Sequence, residues 1–152
     1  MKLQISTSLA LYSVLEFAAH SERISAGDIA AKYGVSPHHL AKVLRELVRA
    51  GVIESTRGVG GGYRFAGNVR RLTLMDLIEL FEDIGDRTGR NRQPGASTDV
   101  WRALGTVLAE IDEIAKATFR SITIGTMLKL IERHRNQTFE KTRSPSKRAR
   151  RG

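Results

Sequence analysis

A mainly α-helical fold with one small β-hairpin is predicted from three features of the sequence. Apolar residues recur at helical spacing in several segments that begin at helix-capping residues and end at glycine. Two short strand-like runs flank a glycine-rich loop at residues 56–62. A longer apolar stripe follows in the second half of the chain. The order of these segments predicts a helical unit with a hairpin, followed by a long helix.

Three helices are predicted before the hairpin. The first covers about residues 3–19 and is nearly all apolar after Ser8, so most of its sides should be buried. The second starts at Ser25 and ends at Gly34, which tolerates the positive φ of a tight turn. The third starts at Ser36-Pro37, with serine as N-cap and proline at the first position. Its apolar stripe comprises Leu40, Val43, Leu44, Leu47 and Val48.

The hairpin and the later helices follow in order. Strands are predicted at residues 52–55 and 63–65, and a short helix runs from Thr73 through Ile84. A long helix over about residues 99–120 and a last helix from Thr123 to about His134 come next. Suitable helix-starting hydroxyls are Ser25, Ser36, Thr73, Thr98 and Thr123. The predicted divisions are a first domain over 1–85, a loop over 86–98, paired helices over 99–134 and a disordered basic tail over 135–152.

The net charge of +9 is concentrated in two blocks of the chain. Residues 32–71 carry a net charge of +6, and residues 133–152 carry a net charge of +7. A solvated tail would account for the second block but not for the first. The two blocks together therefore favour a polyanionic partner.

Composition argues against an enzyme and against a metal site. The chain contains no cysteine, which excludes disulfides, thiolate metal ligands and cysteine nucleophiles. The four histidines are not at ligand spacing, since His38 and His39 are adjacent and diverge by about 100° on a helix. Glu79, Glu82 and Asp83 fit a solvated acidic face better than a catalytic carboxylate pair. No apolar run is long enough to span a bilayer and no signal peptide is evident, so we expect a cytoplasmic protein without a membrane partner.

The order helix, helix, glycine turn, helix and hairpin is that of a winged helix-turn-helix. The third helix carries donor-rich side chains opposite its apolar stripe, which suits a major groove; an ordinary solvated face is the alternative. These side chains are His38, His39, Lys42, Arg45 and Arg49. In the hairpin loop, Arg57 suits a minor groove and the glycines let backbone amides approach phosphates; a solvent-facing tip is the alternative.

Three segments resemble the Rrf2 family of bacterial winged helix-turn-helix transcription regulators, which includes iron–sulfur and nitric-oxide regulators. They are Val35–Leu44, Arg49–Ile53 and the Arg57–Tyr63 wing, and the Ile122-Thr-Ile124 start of the last helix is also similar. The resemblance covers about residues 1–133. It implies a dimer on a two-fold-related operator, with groove contacts from residues 36–42 and a minor-groove or phosphate contact from Arg57. The candidate DNA-binding residues are Ser36, Pro37, His38, His39, Lys42, Arg45, Arg57, Gly60, Gly61 and Tyr63.

One departure from the family concerns its sensor. Many members carry three cysteines in the loop after the fourth helix, where they bind an iron–sulfur cluster. The corresponding loop here, residues 86–98, contains none. We therefore expect no cofactor and no metal, and an effector of another kind, either a small molecule or a protein.

The long helix carries the predicted dimer interface. Its apolar positions step by three and four residues over a helix too long for a small winged domain to cover. The predicted interface residues are Trp101, Leu104, Leu108, Ile111 and Ala115. Packing of this stripe against the first helix of the same chain is the alternative.

The sequence thus predicts a homodimeric, sequence-specific regulator of transcription, a repressor or an activator, that binds double-stranded DNA and is not an enzyme. Two alternatives stay open. An architectural or nonspecific DNA-binding protein would depend on the basic tail and show a steep salt dependence. A winged-helix protein-interaction module would not contact DNA, and the arginine–glycine wing argues against it.

Overall fold

The computed structural model describes residues 3–82 and 98–143, and this part of the chain contains six helices and one two-stranded sheet. The mainly helical winged fold predicted from the sequence is confirmed. The elements are α1 Ile5–Ala19, α2 Ala26–Tyr33, α3 Pro37–Arg49, β1 Ile53–Thr56, β2 Gly62–Phe65, α4 Leu74–Glu79, α5 Asp99–Ser121 and α6 Ile124–Arg143. None of the described helices is both long and apolar enough to span a membrane.

The core forms where α1, α2 and α3 meet. From α3, Leu40, Leu44 and Leu47 are fully buried, and from α1 they meet Val14 and Phe17. The stripe predicted on α3 is therefore confirmed as its core-facing side. Each buried aliphatic side chain stabilises the fold by about 1.5–3 kcal/mol relative to an exposed one.

The turn between α2 and α3 depends on Gly34. Its φ of 62° is left-handed, and its N–H donates to the carbonyl of Ala30. Ala30 is 5% exposed, so a small side chain lies where the two helices approach each other. A left-handed residue ends α2 and lets Ser36 begin α3 two residues later.

Hydroxyl caps begin the helices where the sequence predicts them. The hydroxyl oxygens of Ser25, Ser36, Thr73, Thr98 and Thr123 each accept the backbone N–H of the residue three positions later. At Thr73 the Asp76 carboxylate also accepts the Thr73 backbone N–H, which completes a capping box.

A carboxylate pins α2 to α1. Glu16 on α1 accepts hydrogen bonds from the Lys32 ammonium and the Tyr33 hydroxyl of α2, and the Tyr33 ring stacks on Tyr12 at 4.9 Å between centroids. Burial raises the pKa of Glu16, but the hydrogen bonds from Lys32 and Tyr33 outweigh it and hold that pKa below its usual value. Burial and the Glu16 carboxylate raise the pKa of Tyr33 well above its ordinary range.

The second half of the chain packs around α4. The Thr73–Thr123 bridge joins the starts of α4 and α6, α5 lies against α4, and α6 lies against α1. Ile124, at the start of α6, is fully buried in the same core as α3. The two late helices therefore belong to the folded unit rather than forming a separate one.

Two predicted boundaries are wrong. The helix predicted to run through Ile84 ends at Glu79, because the chain turns there to bring Glu82 to the first turn of α1. The predicted tail begins too early, since α6 continues to Arg143. No proline or glycine interrupts residues 126–144, and Pro145 is the first helix-breaking residue. Residues 86–97 of the predicted loop over 86–98 and residues 144–152 of the predicted tail over 135–152 lie outside the described residues.

Alanine at position 34 tests the turn. We expect Gly34→Ala to lower the free energy of unfolding by about 1 kcal/mol or more, because a side chain is strained at this left-handed φ. Gly27→Ala, within α2 itself, is the control. Its added methyl group would make only an ordinary contact of 3.7 Å with Ser25 Oγ. We expect it to leave stability unchanged or slightly higher. Urea unfolding followed by circular dichroism measures both, and equal effects would contradict this role of Gly34.

Candidate nucleic-acid interface

The outer face of α3 is a row of exposed polar side chains. Burial of the leucine stripe turns the opposite side of the helix outward, where His38, Lys42, Arg45 and Arg49 are exposed. Arg49 donates to Glu46 at 3.0 Å. Lys42 and Arg45 form no ion pair within residues 3–82 and 98–139. Their positive charges are therefore available to an external anion. Ser36 and Pro37, at the start of α3, are exposed as well.

The wing projects beside α3 and is anchored at its base. Its antiparallel strands pair Ile53 with Phe65 and Thr56 with Gly62. Tyr63 exchanges backbone hydrogen bonds of 2.9 and 3.0 Å with Ile24, and its ring packs on Phe17 with 5.9 Å between centroids. Tyr63 therefore holds the wing to the helical core, besides lining the surface that the sequence assigned to DNA.

The tip of the wing has room only for glycine at position 61. A Cβ there would lie 2.4 Å from the Thr56 carbonyl oxygen and 2.8 Å from that of Gly58. Arg57, Gly60 and the apolar Val59 are exposed at this tip. Arg57, like Lys42 and Arg45, has no ion-pair partner in the described part of the chain. The tight turn therefore presents the Arg57 guanidinium beside glycine backbone that no side chain covers.

An open groove of about 560 Å³ separates α3 from the wing. One wall comes from α3 and the other from the wing, while Ser25 and Ala26 at the start of α2 complete the lining. Arg45 and Arg57 contribute from the two walls, and no acidic residue lines the groove. The structure thus brings together Arg45, Arg57, Gly61 and Tyr63 from the predicted set.

His39 differs from the other predicted contacts. It is half-buried, and its Nε2 forms a hydrogen bond of 3.0 Å with Ser6 Oγ of α1. That bond uses one ring nitrogen and turns the ring toward α1, away from the wing. Sequence reasoning missed Ser6, because a serine 33 positions away carries no signal of this contact.

The apolar stripe of α5 is exposed. Leu104, Leu108 and Ile111 are 55%, 40% and 54% exposed, and Trp101 and Ala115 are half-buried. No residue of α5 is fully buried. The half-buried positions of α5 also include Gly105, Ala109, Asp112, Lys116 and Phe119, and Phe119 packs against the core. The half-buried side therefore overlaps the predicted stripe at Trp101 and Ala115.

Comparison with known proteins identifies the family. The family model Rrf2, described as an iron-dependent transcriptional regulator, matches residues 3–130. The chain belongs to the Rrf2 family. The protein BadM of Rhodopseudomonas palustris, named as an HTH-type transcriptional regulator, is 57% identical over 91% of this chain and 88% of its own length. The HTH-type transcriptional regulator IscR of Vibrio campbellii is 26% identical over 85% of this chain and 78% of its own length.

Solved Rrf2-type structures share the fold. The cysteine regulator CymR of B. subtilis superposes with a TM-score of 0.68 at 23% identity, covering 85% of this chain and 97% of its own. T. potens IscR gives a TM-score of 0.67 at 23% identity, covering 88% and 90%. Family and relatives together establish a DNA-binding transcription regulator and not an enzyme.

The iron in the family description does not match the residues of this member. Iron–sulfur clusters are held chiefly by cysteine thiolates, and the chain has no cysteine. Among the described residues no three His, Asp or Glu side chains are grouped so that they could hold a metal. The predicted loop over 86–98 contains neither cysteine nor histidine in its sequence. The residues therefore do not fit a cysteine-ligated cluster.

Anaerobic purification tests this departure from the family description. We expect no acid-labile sulfide, no stoichiometric iron and no visible absorption, because the thiolate ligands are missing. A cysteine-containing Rrf2 regulator purified in parallel is the control for cluster loss during handling. Iron and sulfide in stoichiometric amounts would contradict the expectation.

Proposed function

We propose that this Rrf2 protein is a homodimeric transcription regulator that reads two half-sites of a two-fold-related operator. In each half-site α3 enters the major groove and the wing approaches the adjacent minor groove. The proposal assigns base contacts to the outer face of α3 and a minor-groove contact to Arg57. It places the protein in the cytoplasm, where the operator is.

The observation that carries the DNA-binding mode is the set of unpaired cations on one side of the domain. Lys42, Arg45 and Arg57 come from two elements and have no ion-pair partner in residues 3–82 and 98–139. Arg23 and Arg64, beside the wing base, contact Glu54 instead. Positive charge without an ion-pair partner among the described residues is therefore present where α3 and the wing tip point outward, as a polyanion requires.

The dimer is supported by the two sides of α5. The half-buried side includes Trp101, Gly105, Lys116 and Phe119, and Phe119 packs against the core. The apolar side includes Val100 at 78% exposed and Ile114 at 62%. A helix that leaves this many aliphatic side chains exposed needs another surface to cover them. A second copy supplies one by two-fold symmetry.

The length of α5 suits this role. Its 23 residues extend over about 35 Å, similar to the roughly 34–36 Å between half-sites one DNA turn apart. Two antiparallel copies would join the winged units rigidly, so that binding of one half-site raises the effective concentration of the other unit at the second. A signal that changed the pairing of α5 would then change operator affinity, and its source would be a small molecule or a partner protein.

Arg57→Ala tests the wing. We expect operator affinity to fall by about tenfold or more and any A·T preference to weaken, because the guanidinium would no longer occupy a narrow minor groove. Arg64→Ala is the matched control, since it removes the same charge from an arginine that pairs with Glu54. Selection from random DNA followed by titration measures both. Unchanged affinity and base preference in Arg57→Ala would remove the wing from the interface.

Leu108→Glu tests the dimer. The 16.8 kDa chain should behave as a dimer in light scattering at micromolar concentration, and the variant as a monomer with weakened operator binding. Thr106→Glu adds the same charge on the opposite side of α5, where Thr106 is exposed, and should leave the dimer intact. A monomeric wild-type protein at that concentration would contradict the proposal.

A further inference from the structure

The side chains on the outer face of α3 do not share one direction. Successive residues of a helix are rotated by about 100°. The lining of the wing groove includes Ala41, Arg45 and Val48, which lie along one edge of that face. Lys42 lies about 60° further round the helix, toward His39 and its contact with Ser6. Arg45 therefore leans toward the wing, whereas Lys42 leans toward α1.

The groove beside Arg45 has the properties of an anion site. Arg45 contributes from α3 and Arg57 from the wing, and the lining contains no carboxylate. Neither guanidinium is neutralised by an ion pair in the part of the chain that the structure describes. Arginine donates two parallel hydrogen bonds to phosphate oxygens, which adds geometry to charge.

The geometry points to one occupant, a phosphate of the DNA backbone. This inference rests on the proposed function, in which α3 and the wing enter adjacent grooves of the duplex. The strand that separates a major groove from its neighbouring minor groove then has to cross the space between α3 and the wing. We propose that Arg45 binds a phosphate of this strand in the wing groove and reads no base.

This assignment separates Arg45 from the base-reading residues with which the sequence grouped it. A phosphate contact positions the protein on the duplex and adds affinity without sequence information. Lys42, which lies about 60° from Arg45 and away from the groove, retains the base-reading role. The positive potential of Arg57 acts on the same phosphate from the opposite wall while its guanidinium reaches the minor groove.

The decisive experiment compares wild type and Arg45→Gln in their affinity for operators in which one phosphate has been made neutral. An operator selected by the wild-type protein is synthesised with one methylphosphonate at a time along each half-site. Wild type should lose about tenfold in affinity at one position, next to the A·T-rich segment, because a charged hydrogen-bonded contact is removed. The affinity of Arg45→Gln should fall by less than about twofold when the phosphate at that position is neutral. Lys42→Gln is the matched control on the same helix face. Its affinity should fall by about tenfold, as that of wild type does, when the same phosphate is neutral.

Two further measurements test the same assignment, the salt dependence of binding and the DNA sequence that each variant selects. Arg45→Gln should lower affinity for operator and unrelated DNA by the same factor and reduce the salt slope by about one. Its selected sequence should match that of wild type, whereas Lys42→Gln should change a preferred base. Because Arg45 is exposed, the variant should retain the wild-type thermal midpoint.

The outcomes distinguish the inference from the proposed function. A changed base preference in Arg45→Gln, or undiminished sensitivity to every methylphosphonate, would overturn the phosphate assignment while leaving the winged operator complex in place. Failure of the wild-type protein to select any sequence would overturn both.

Discussion

The buried stripe of α3 is the constraint on which the candidate DNA-binding surface depends. Leu40, Leu44 and Leu47 have no exposed surface, and together they fix the rotation of α3 about its own axis. A rotation by one residue, about 100°, would expose leucine and carry Lys42 or Arg45 toward the core, where an unpaired charge is costly. The outward direction of the cations is thus a consequence of core packing rather than of any contact that the cations make.

The first turn of α1 connects this helix to the second half of the chain. The Gln4 N–H and the buried Thr7 hydroxyl donate to the Glu82 carboxylate at 2.7 and 2.8 Å. A carboxylate at this position caps α1, whose N-cap Gln4 makes no side-chain hydrogen bond of its own, and it interacts favourably with the helix dipole. In the same turn Ser6 contacts His39 of α3. The segment leading toward α5 and the first turn of α3 therefore meet at two successive residues of α1.

Much of the apolar stripe of α5 stays uncovered by packing within the chain. Phe119 of α5 packs against the core, while Leu104 and Ile111 remain exposed. In α3, by contrast, the apolar side faces the core and the charged side faces out. A stripe pattern in the sequence looks the same in both helices, because periodicity reports that one side is apolar and not what covers it. Only the tertiary structure separates the two cases, since it leaves Leu104 and Ile111 of α5 uncovered.

The sequence by itself determined the features that are governed by neighbouring residues. Serine and threonine hydroxyls capped five helices, because each cap acts over three residues. Gly34 and the glycine-rich wing were equally predictable from the sequence, since a left-handed backbone conformation is a local requirement. The tertiary structure decided which side of α5 is covered, that Arg45 leans toward the wing and that His39 is held by Ser6. The Glu82 cap joins residues 75 and 78 positions apart. Such contacts follow from how whole helices pack, and no spacing within one helix encodes them.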